Sequence, residues 1–354
     1  MKQFHPLTVA AKRKETRDSV RIALQVPDEL RDEFEFLPGQ HLPIRIEKDG
    51  KALRRTYSIC SMPGEWPLEI GVRVQKGGLF SEFAANQLAV GDQLDVMPPF
   101  GRFHASTAVD HNKFYLGFAA GSGITPILSI VAATLRDEPN SRFAVFYGNR
   151  RQTSTMFIDD LYALKNRYPE RLQLTFVFSQ EDQEFPIAAG RLDADKVREL
   201  YAAFCRGDHP DEAFICGPDT MIETVTETLA ELGMAKNHIH AERFGVPRKA
   251  AAAPASEATA DQAVITVILD GHKKTFDMAD ADGNIVDAAA DSGIDLPYSC
   301  KGGVCATCRC HVREGEVTMA TNYGLEPWEV EAGFVLACQS RPVSRKVVLD
   351  YDKA

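Results

Sequence analysis

Four cysteines near the end of the chain have a spacing that could hold iron. Four residues separate Cys300 from Cys305, two separate Cys305 from Cys308, and twenty-nine lie between Cys308 and Cys338. Three thiolates from one loop and a fourth from a distant segment make the C-x4-C-x2-C…C pattern of a 2Fe–2S centre. Gly302 and Gly303 suit such a loop, because backbone without Cβ can approach the sulfides and turn N–H groups towards an anionic cluster. A zinc site usually shows two short knuckles, and here Cys338 stands alone. A disulfide framework needs an oxidising compartment, and the start Met1–His5 has no signal-peptide character. Cys60, Cys205 and Cys310 fall outside the pattern and read as inert bystanders.

A second set of residues could grip phosphates and a flat ring. Arg55-Thr56-Tyr57-Ser58 lies in an expected strand, and Gly78-Leu79-Phe80-Ser81 opens a short helix downstream. A dinucleotide presents a pyrophosphate, which calls for a guanidinium fork and exposed backbone N–H groups. Arg55 can supply the fork, and Gly78 and Ser81 can supply donors at a helix start where the dipole favours an anion. Tyr57 can stack on a flat conjugated ring, and the neighbouring Ser58 hydroxyl can hydrogen-bond at its edge. Arg54 adjoins Arg55, and the residues alone do not settle which of the two meets the phosphates.

A third set suits a nicotinamide coenzyme. Gly121-Ser122-Gly123-Ile124-Thr125-Pro126 follows a strand and opens a helix, the context that makes a glycine loop a phosphate cradle. It lacks the third glycine of the Rossmann fingerprint, and Pro126 fits a first helical turn, where its missing N–H costs nothing. Cys216-Gly217-Pro218 ends another strand and begins another helix. Arg150 and Arg151 follow the second strand, where an acid would grip the ribose of NAD and arginines would meet the 2′-phosphate of NADP. Ser179 could join them, whereas Glu181 and Asp182 pull the other way; the balance leans to NADPH over NADH.

The elements that must position these groups fall into three blocks. Short apolar or alternating runs (Val20 to Val26, His41 to Ile46, Leu68 to Val74, Gln93 to Met97) with Pro-Gly, Asp-Gly and Gly-Asp turns read as an antiparallel barrel over 1–106, with a helical piece at Phe80 to Leu88. From Lys113 strands and helices alternate, which over 107–246 means a parallel sheet with helices on its faces. The helix after the glycine loop shows its pattern from Ile127. Residues 247–262 have the composition of a flexible linker. In 263–354, Ala263 opens a new alternating run and Ile285 to Ala290 looks helical before the cysteine loop.

Bulk properties narrow the function. The 354 residues exceed one typical core, and 44% apolar with 25% charged residues is ordinary for a globular protein. No apolar run reaches the length of a membrane span, so the expectation is a cytoplasmic protein with no membrane partner. The net charge of −10 argues against nucleic acid. From Ala263 on, 14 acidic and 9 basic residues leave −5 in 92 residues, and the preceding 262 carry the other −5. The tail is the acidic end, fit either for steering towards a basic face or simply for solubility.

Arg55-Thr56-Tyr57-Ser58 with Gly78 to Ser81, the glycine loop and Cys216-Gly217-Pro218 resemble, in this order, the ferredoxin–NADP reductase superfamily, and the pattern of that family selects Arg55. The cysteine segment resembles a plant-type ferredoxin domain, so the whole chain resembles the reductase components of multicomponent oxygenases that carry the cluster at the C-terminus. The resemblance implies an antiparallel β-barrel for FAD, an α/β nicotinamide domain and an α+β β-grasp 2Fe–2S ferredoxin domain. It places Thr125 at the nicotinamide end and Ser58 and Cys216 where nicotinamide meets flavin, as the catalytic residues. It implies electrons passing from NADPH through FAD and the cluster to the di-iron component of a hetero-oligomeric monooxygenase. Sister reductases that feed steroid or carnitine hydroxylases share the same domain order. A redox sensor or stand-alone diaphorase with no oxygenase partner would have much the same sequence.

Overall fold

The first block forms an antiparallel sheet, with one long strand that the apolar pattern misses. The structure is a computed structural model and describes residues 3–48, 50–205, 207–244, 262–279 and 283–353. The chain divides into two compact units. One holds residues 4–53 and 57–244; the other holds the described residues from Gln262 onward, together with residues 54–56.

Six strands, β1 (His5–Thr16), β2 (Ser19–Gln25), β3 (His41–Lys48), β4 (Lys51–Ser58), β5 (Leu68–Arg73) and β6 (Gln93–Val96), lie in the order β4-β3-β6-β1-β2-β5. A single turn, α1 (Arg31–Phe34), and α2 (Leu79–Asn86) accompany them. Strand β1 escapes sequence reading because only Leu7 and Val9 are buried along it. From Ala10 onward its side chains are exposed or half-buried, so no apolar alternation marks it. What holds it is backbone pairing with β2 on one side and β6 on the other. The core between the sheet faces is built by Ile22, Leu24, Leu42, Ile70 and Phe80.

Five parallel strands follow: β7 (Phe114–Ala120), β8 (Arg142–Asn149), β9 (Leu172–Phe178), β10 (Glu212–Gly217) and β11 (Ile239–Arg243). Their order is β11-β10-β7-β8-β9, with α3 (Ile124–Asp137), α4 (Ile158–Arg167), α5 (Ala194–Phe204) and α6 (Asp219–Glu231) on the faces. The strand order reverses between β7 and β10, so the loops leaving their C-terminal ends part and open a crevice. Helix α3 begins at Ile124, three residues before its apolar pattern, because Gly121–Gly123 already turn as a 3-10 helix. Every residue of α3 from Ile124 to Leu135 is buried. Its Ser129 hydroxyl donates to the Ser61 carbonyl of the first block at 2.7 Å, so this helix is covered on both sides. A buried charge cluster ties the two sheets: Arg21, 5% exposed, meets Asp160, Glu15 and Glu69 and lies over the Phe157 ring at 4.3 Å.

The second unit is an α+β sheet with one packed helix. Strands β12 (Gln262–Leu269), β13 (His272–Ala279), β14 (Arg309–Glu314), β16 (Phe334–Leu336) and β18 (Lys346–Asp350) lie in the order β13-β12-β18-β14-β16; β15 (Val317–Met319) pairs with β17 (Ser340–Pro342). Parallel pairing of β12 with β18 and antiparallel pairing elsewhere give the β-grasp arrangement. Asn284 caps α7 (Ile285–Asp291), its side chain accepting from the Asp287 N–H, and Ile285, Val286, Ala288 and Ala289 pack inward. One further turn, α8 (Pro327–Glu331), precedes β16. The expected linker lies outside the described residues apart from Gln262, the first residue of β12. No helix among the described residues is long and apolar enough to cross a membrane.

Candidate functional site

The crevice between the ends of β7 and β10 is a cavity of about 900 Å³. Gly121, Gly123, Arg150, Ser179, Gly217 and Pro218, all singled out by sequence, line it. Gly121 holds φ +56°, a left-handed conformation that suits glycine, and its carbonyl accepts from the buried Tyr147 hydroxyl at 2.8 Å. Gly123 is there for space: a Cβ would sit 2.0 Å from the Cys216 carbonyl oxygen. Thr125 is buried and closes the first helical turn, donating to the Ser122 carbonyl at 2.9 Å; it does not line the cavity. Neither does Arg151, whose carbonyl accepts from Ser154 and Thr155.

The cavity also uses residues that no motif marks. Arg73 at the end of β5 lines it, anchored to Asp18 at 3.1 Å. So do Asn149, Gln180, Arg191 and Phe244. The Ser179 and Gln180 N–H groups donate to the Asn149 and Arg150 carbonyls, which continues the β8–β9 pairing and sets these ends side by side. The Asn149 carboxamide is 9% exposed, with no partner of bonding geometry among the described residues for either its nitrogen or its oxygen. The acid that argued for NADH is spent elsewhere, since the Glu181 carboxylate accepts from the Gln152 N–H at 2.7 Å.

On the barrel side, Tyr57 and Arg55 alternate with Thr56 and Ser58 along β4, so the ring and guanidinium share one face. Tyr57 packs on Phe80 with centroids 5.0 Å apart, and the Arg55 guanidinium donates to the Arg54 carbonyl at 2.7 Å. A Cβ on Gly78 would lie 2.5 Å from the Ser81 hydroxyl, which itself accepts from the Gln75 N–H at 3.0 Å. Ser81 therefore spends its hydroxyl shaping the loop, and what α2 offers an anion is the backbone N–H of its first turn. A tight glycine loop, a helix start, an aromatic face and the Arg55 guanidinium fit a flavin dinucleotide.

Glu242 on β11 is the acid that sequence reading misses. The Ser58 hydroxyl donates to its Oε2 at 3.3 Å, and His41 Nδ1 lies 3.3 Å from its Oε1. In the β10–β11 pairing Glu242 stands opposite Cys216. The Cys216 thiol is pushed well up, first by burial and then by the Glu242 charge, so it is held as a neutral thiol. Glu242 thus accepts from Ser58 and neighbours Cys216 across the β10–β11 pairing.

The four cysteines gather as two pairs. The neighbouring Cys305 thiol, with the N–H groups of Cys305, Gly302 and Val304, lowers Cys300 despite its burial, and the Cys305 N–H reaches its Sγ at 3.4 Å. Cys308 donates to Cys338, which is lowered first by that bond and also helped by the Gly303 N–H. Gly302 N–H reaches Cys300 Sγ at 3.3 Å, and the Thr307 hydroxyl reaches Cys305 Sγ at 3.1 Å. Two pairs under a canopy of donors fit a binuclear cluster with two thiolates to each iron. Cys60, Cys205 and Cys310 are buried thiols, the last two pushed up to about 12, in both cases chiefly by burial.

Comparison with known proteins agrees with this layout. Residues 6–105 match the oxidoreductase FAD-binding domain, 118–227 the oxidoreductase NAD-binding domain, and 267–343 the 2Fe-2S iron-sulfur cluster binding domain. The chain is 45% identical to a subunit of the 1,2-phenylacetyl-CoA epoxidase of Escherichia coli (strain K12), over 99% of both chains. The chain belongs to the ferredoxin–NADP reductase-type flavin reductases with a C-terminal 2Fe–2S domain. This reductase is also 36% identical to the ferredoxin reductase component of 3-ketosteroid-9-alpha-monooxygenase of Rhodococcus rhodochrous, over 98% of this chain and 96% of that one. Its fold matches phthalate dioxygenase reductase with a TM-score of 0.59 over 98% of both chains, at 23% identity. The reductase is thus an NAD(P)H-dependent oxidoreductase that uses FAD and a 2Fe–2S cluster.

Proposed function

We propose that the reductase draws electrons from NADPH and delivers them singly to a di-iron oxygenase component, phenylacetyl-CoA epoxidase. The observation that carries this is 45% identity with a subunit of the 1,2-phenylacetyl-CoA epoxidase of Escherichia coli, over 99% of both chains. Bound FAD supplies the conversion of a hydride donor into single electrons, and a bound cluster supplies the one-electron relay.

The chain's own residues bind, orient and hold protons. The glycine loop after β7 and the Gly217-Pro218 turn after β10 present backbone to the coenzyme from two sides of the crevice. Ser58, tied to Glu242, holds a proton at its Oγ beside the place where the reacting rings meet. Cys216, fully buried behind Gly217, is kept neutral and adds no charge there. Arg55 supplies the guanidinium for the flavin pyrophosphate. Replacing Glu242 by glutamine keeps the shape and removes the charge that orients Ser58. We expect hydride transfer, followed by stopped-flow absorbance of the flavin, to slow by about one to two orders of magnitude. Coenzyme affinity should change much less; an unchanged rate would remove Glu242 from this role.

Arg150 and Arg191 line the cavity beside Ser179, and they rather than Arg151 would meet the 2′-phosphate. Arg150→Ala or Arg191→Ala should raise KM for NADPH roughly tenfold or more, the value of a charge-assisted hydrogen bond. KM for NADH should barely move. Equal effects on both coenzymes would refute the NADPH preference.

Reconstitution tests the whole reading. The holo-reductase and purified phenylacetyl-CoA epoxidase should together oxidise NADPH in step with phenylacetyl-CoA consumption. Brisk dye reduction with no turnover of that oxygenase would leave the reductase with another partner.

A further inference from the structure

The turn α8 stands out from the surface of the cluster unit. Of residues 326–332 only Glu329 is buried, and its carboxylate is spent inward on the Arg309 guanidinium at 2.8 Å. That guanidinium in turn lies over the Phe334 ring, 3.6 Å from its centroid. A capping box between Glu326 and Glu329 closes the turn, and Pro327 starts it. With its inner side pinned, the turn leaves Trp328 60% and Val330 41% exposed. The chain has only two tryptophans, and placing one in water forgoes the largest apolar burial any side chain offers. Such a residue on a protruding, rigidly rooted turn has the character of an interface anchor.

This knob is wired to the cysteine loop by the backbone. The Tyr323 N–H donates to the Gly303 carbonyl at 3.0 Å, and a Cβ on Gly324 would come within 2.7 Å of the Val304 carbonyl oxygen. The segment that leads into α8 therefore packs directly on the loop carrying Cys300, Cys305 and Cys308. Tyr323, 44% exposed, lies between the two.

We propose that Trp328 and Val330, rimmed by Glu326 and Glu331, form the surface on which the electron-accepting oxygenase component docks, with Trp328 entering an apolar recess bordered by basic residues. This rests on the oxygenase-reductase reading above. Charge selects the occupant. The rim is acidic, the residues from Ala263 onward carry −5, and the 262 before them carry −5 as well. The rim therefore complements a basic partner. An apolar anchor inside a charged rim is also the anatomy of a transient protein interface.

The test uses the FAD- and cluster-loaded reductase, with purified phenylacetyl-CoA epoxidase as the probe. Trp328→Ala should weaken binding measured by calorimetry roughly tenfold or more and raise KM for the oxygenase by the same factor. Trp328→Phe should recover most of the loss. Reversing the exposed rim charge with Glu331→Lys should slow association and flatten its salt dependence. Ferricyanide reduction, the electron paramagnetic resonance of the cluster and the rate at which NADPH reduces the cluster should stay as in the parent. Undiminished affinity in Trp328→Ala overturns the proposal and leaves the partner reading intact. Slower cluster reduction with unchanged affinity assigns the knob to the reductase's own flavin unit and overturns it too. A parent protein that neither binds nor reduces the epoxidase removes the partner reading and this surface with it.

Discussion

Cys338→Ser is expected to abolish electron delivery to a protein acceptor while leaving the flavin half of the reductase at work. Cys338 is 2% exposed on the turn Ala337–Gln339 that leaves β16, and it is the one proposed ligand from outside the loop. Gln339 fixes its position by donating to the Lys301 and Cys338 carbonyls at 2.9 Å. A serine there offers a hydroxyl whose proton is far harder to remove than that of a thiol, and iron prefers sulfur in such a site. Loss of second-sphere partners alone costs a metal site about 10–100-fold, so losing the ligand itself should lower acceptor-coupled turnover by about a hundredfold or more. Bound iron and acid-labile sulfide should fall together, and the cluster's circular dichroism should vanish. Ferricyanide reduction by NADPH should persist within about twofold, since the crevice and its lining lie in the other unit. Cys310→Ala is the control: that thiol is fully buried and outside the two pairs, so the cluster signals should survive. A serine variant with full iron content and undiminished coupled turnover would sink the assignment of the fourth ligand.

The chemistry legible in the sequence is the chemistry that sits in short continuous stretches. A cluster loop must supply three thiolates from one turn, so Cys300, Cys305 and Cys308 are written together, and the glycine loop after β7 likewise. What stays hidden is assembled from separate strands. Glu242 meets Ser58 only because β11 pairs with β10 and the two sheets close on each other; along the chain it is one more acid on a short strand. Arg73 ends β5 and reaches the cavity from a different domain, and Arg191 sits in a loop behind Gly190 with no pattern of its own. Sequence points to Arg151, the neighbour of Arg150, as the second cation of the cavity wall, because sequence can count spacing but cannot see a loop returning through space. The long strand β1 escapes for a related reason. Its place is fixed by ladder hydrogen bonds on both sides, and backbone pairing leaves no mark on residue type. Ser81 shows the opposite case, where the residue is legible but its hydroxyl serves the loop's own backbone.

Gly123→Ala should be the most damaging single substitution in the crevice, and more harmful than Gly121→Ala despite the ordinary backbone at 123. Gly123 has φ −62°, which any residue accepts. Its constraint is steric: a Cβ would stand 2.0 Å from the Cys216 carbonyl oxygen, 2.5 Å from its carbon and 2.9 Å from the Gly217 nitrogen. All three are main-chain atoms at the end of a central strand, so no rotamer change relieves the clash. Alanine must force α3 and β10 apart, at an overpacking cost of about 1–3 kcal/mol. The parted elements are the two that flank the crevice at the strand reversal, and one of them carries Cys216 opposite Glu242. A shift of about an ångström between reacting groups costs on the order of a hundredfold in rate, so hydride transfer from NADPH should fall by about that factor, with a lower melting temperature. At Gly121 the nearest atom to an added Cβ is the Arg73 Nη1 at 3.0 Å, the far end of a flexible side chain. The cost there is the left-handed backbone, about 1–2 kcal/mol, and the rate should drop less than tenfold. Stopped-flow reduction of the flavin in both variants decides between them: if Gly123→Ala reduces as fast as Gly121→Ala, close approach of the two backbones is not what the second glycine provides.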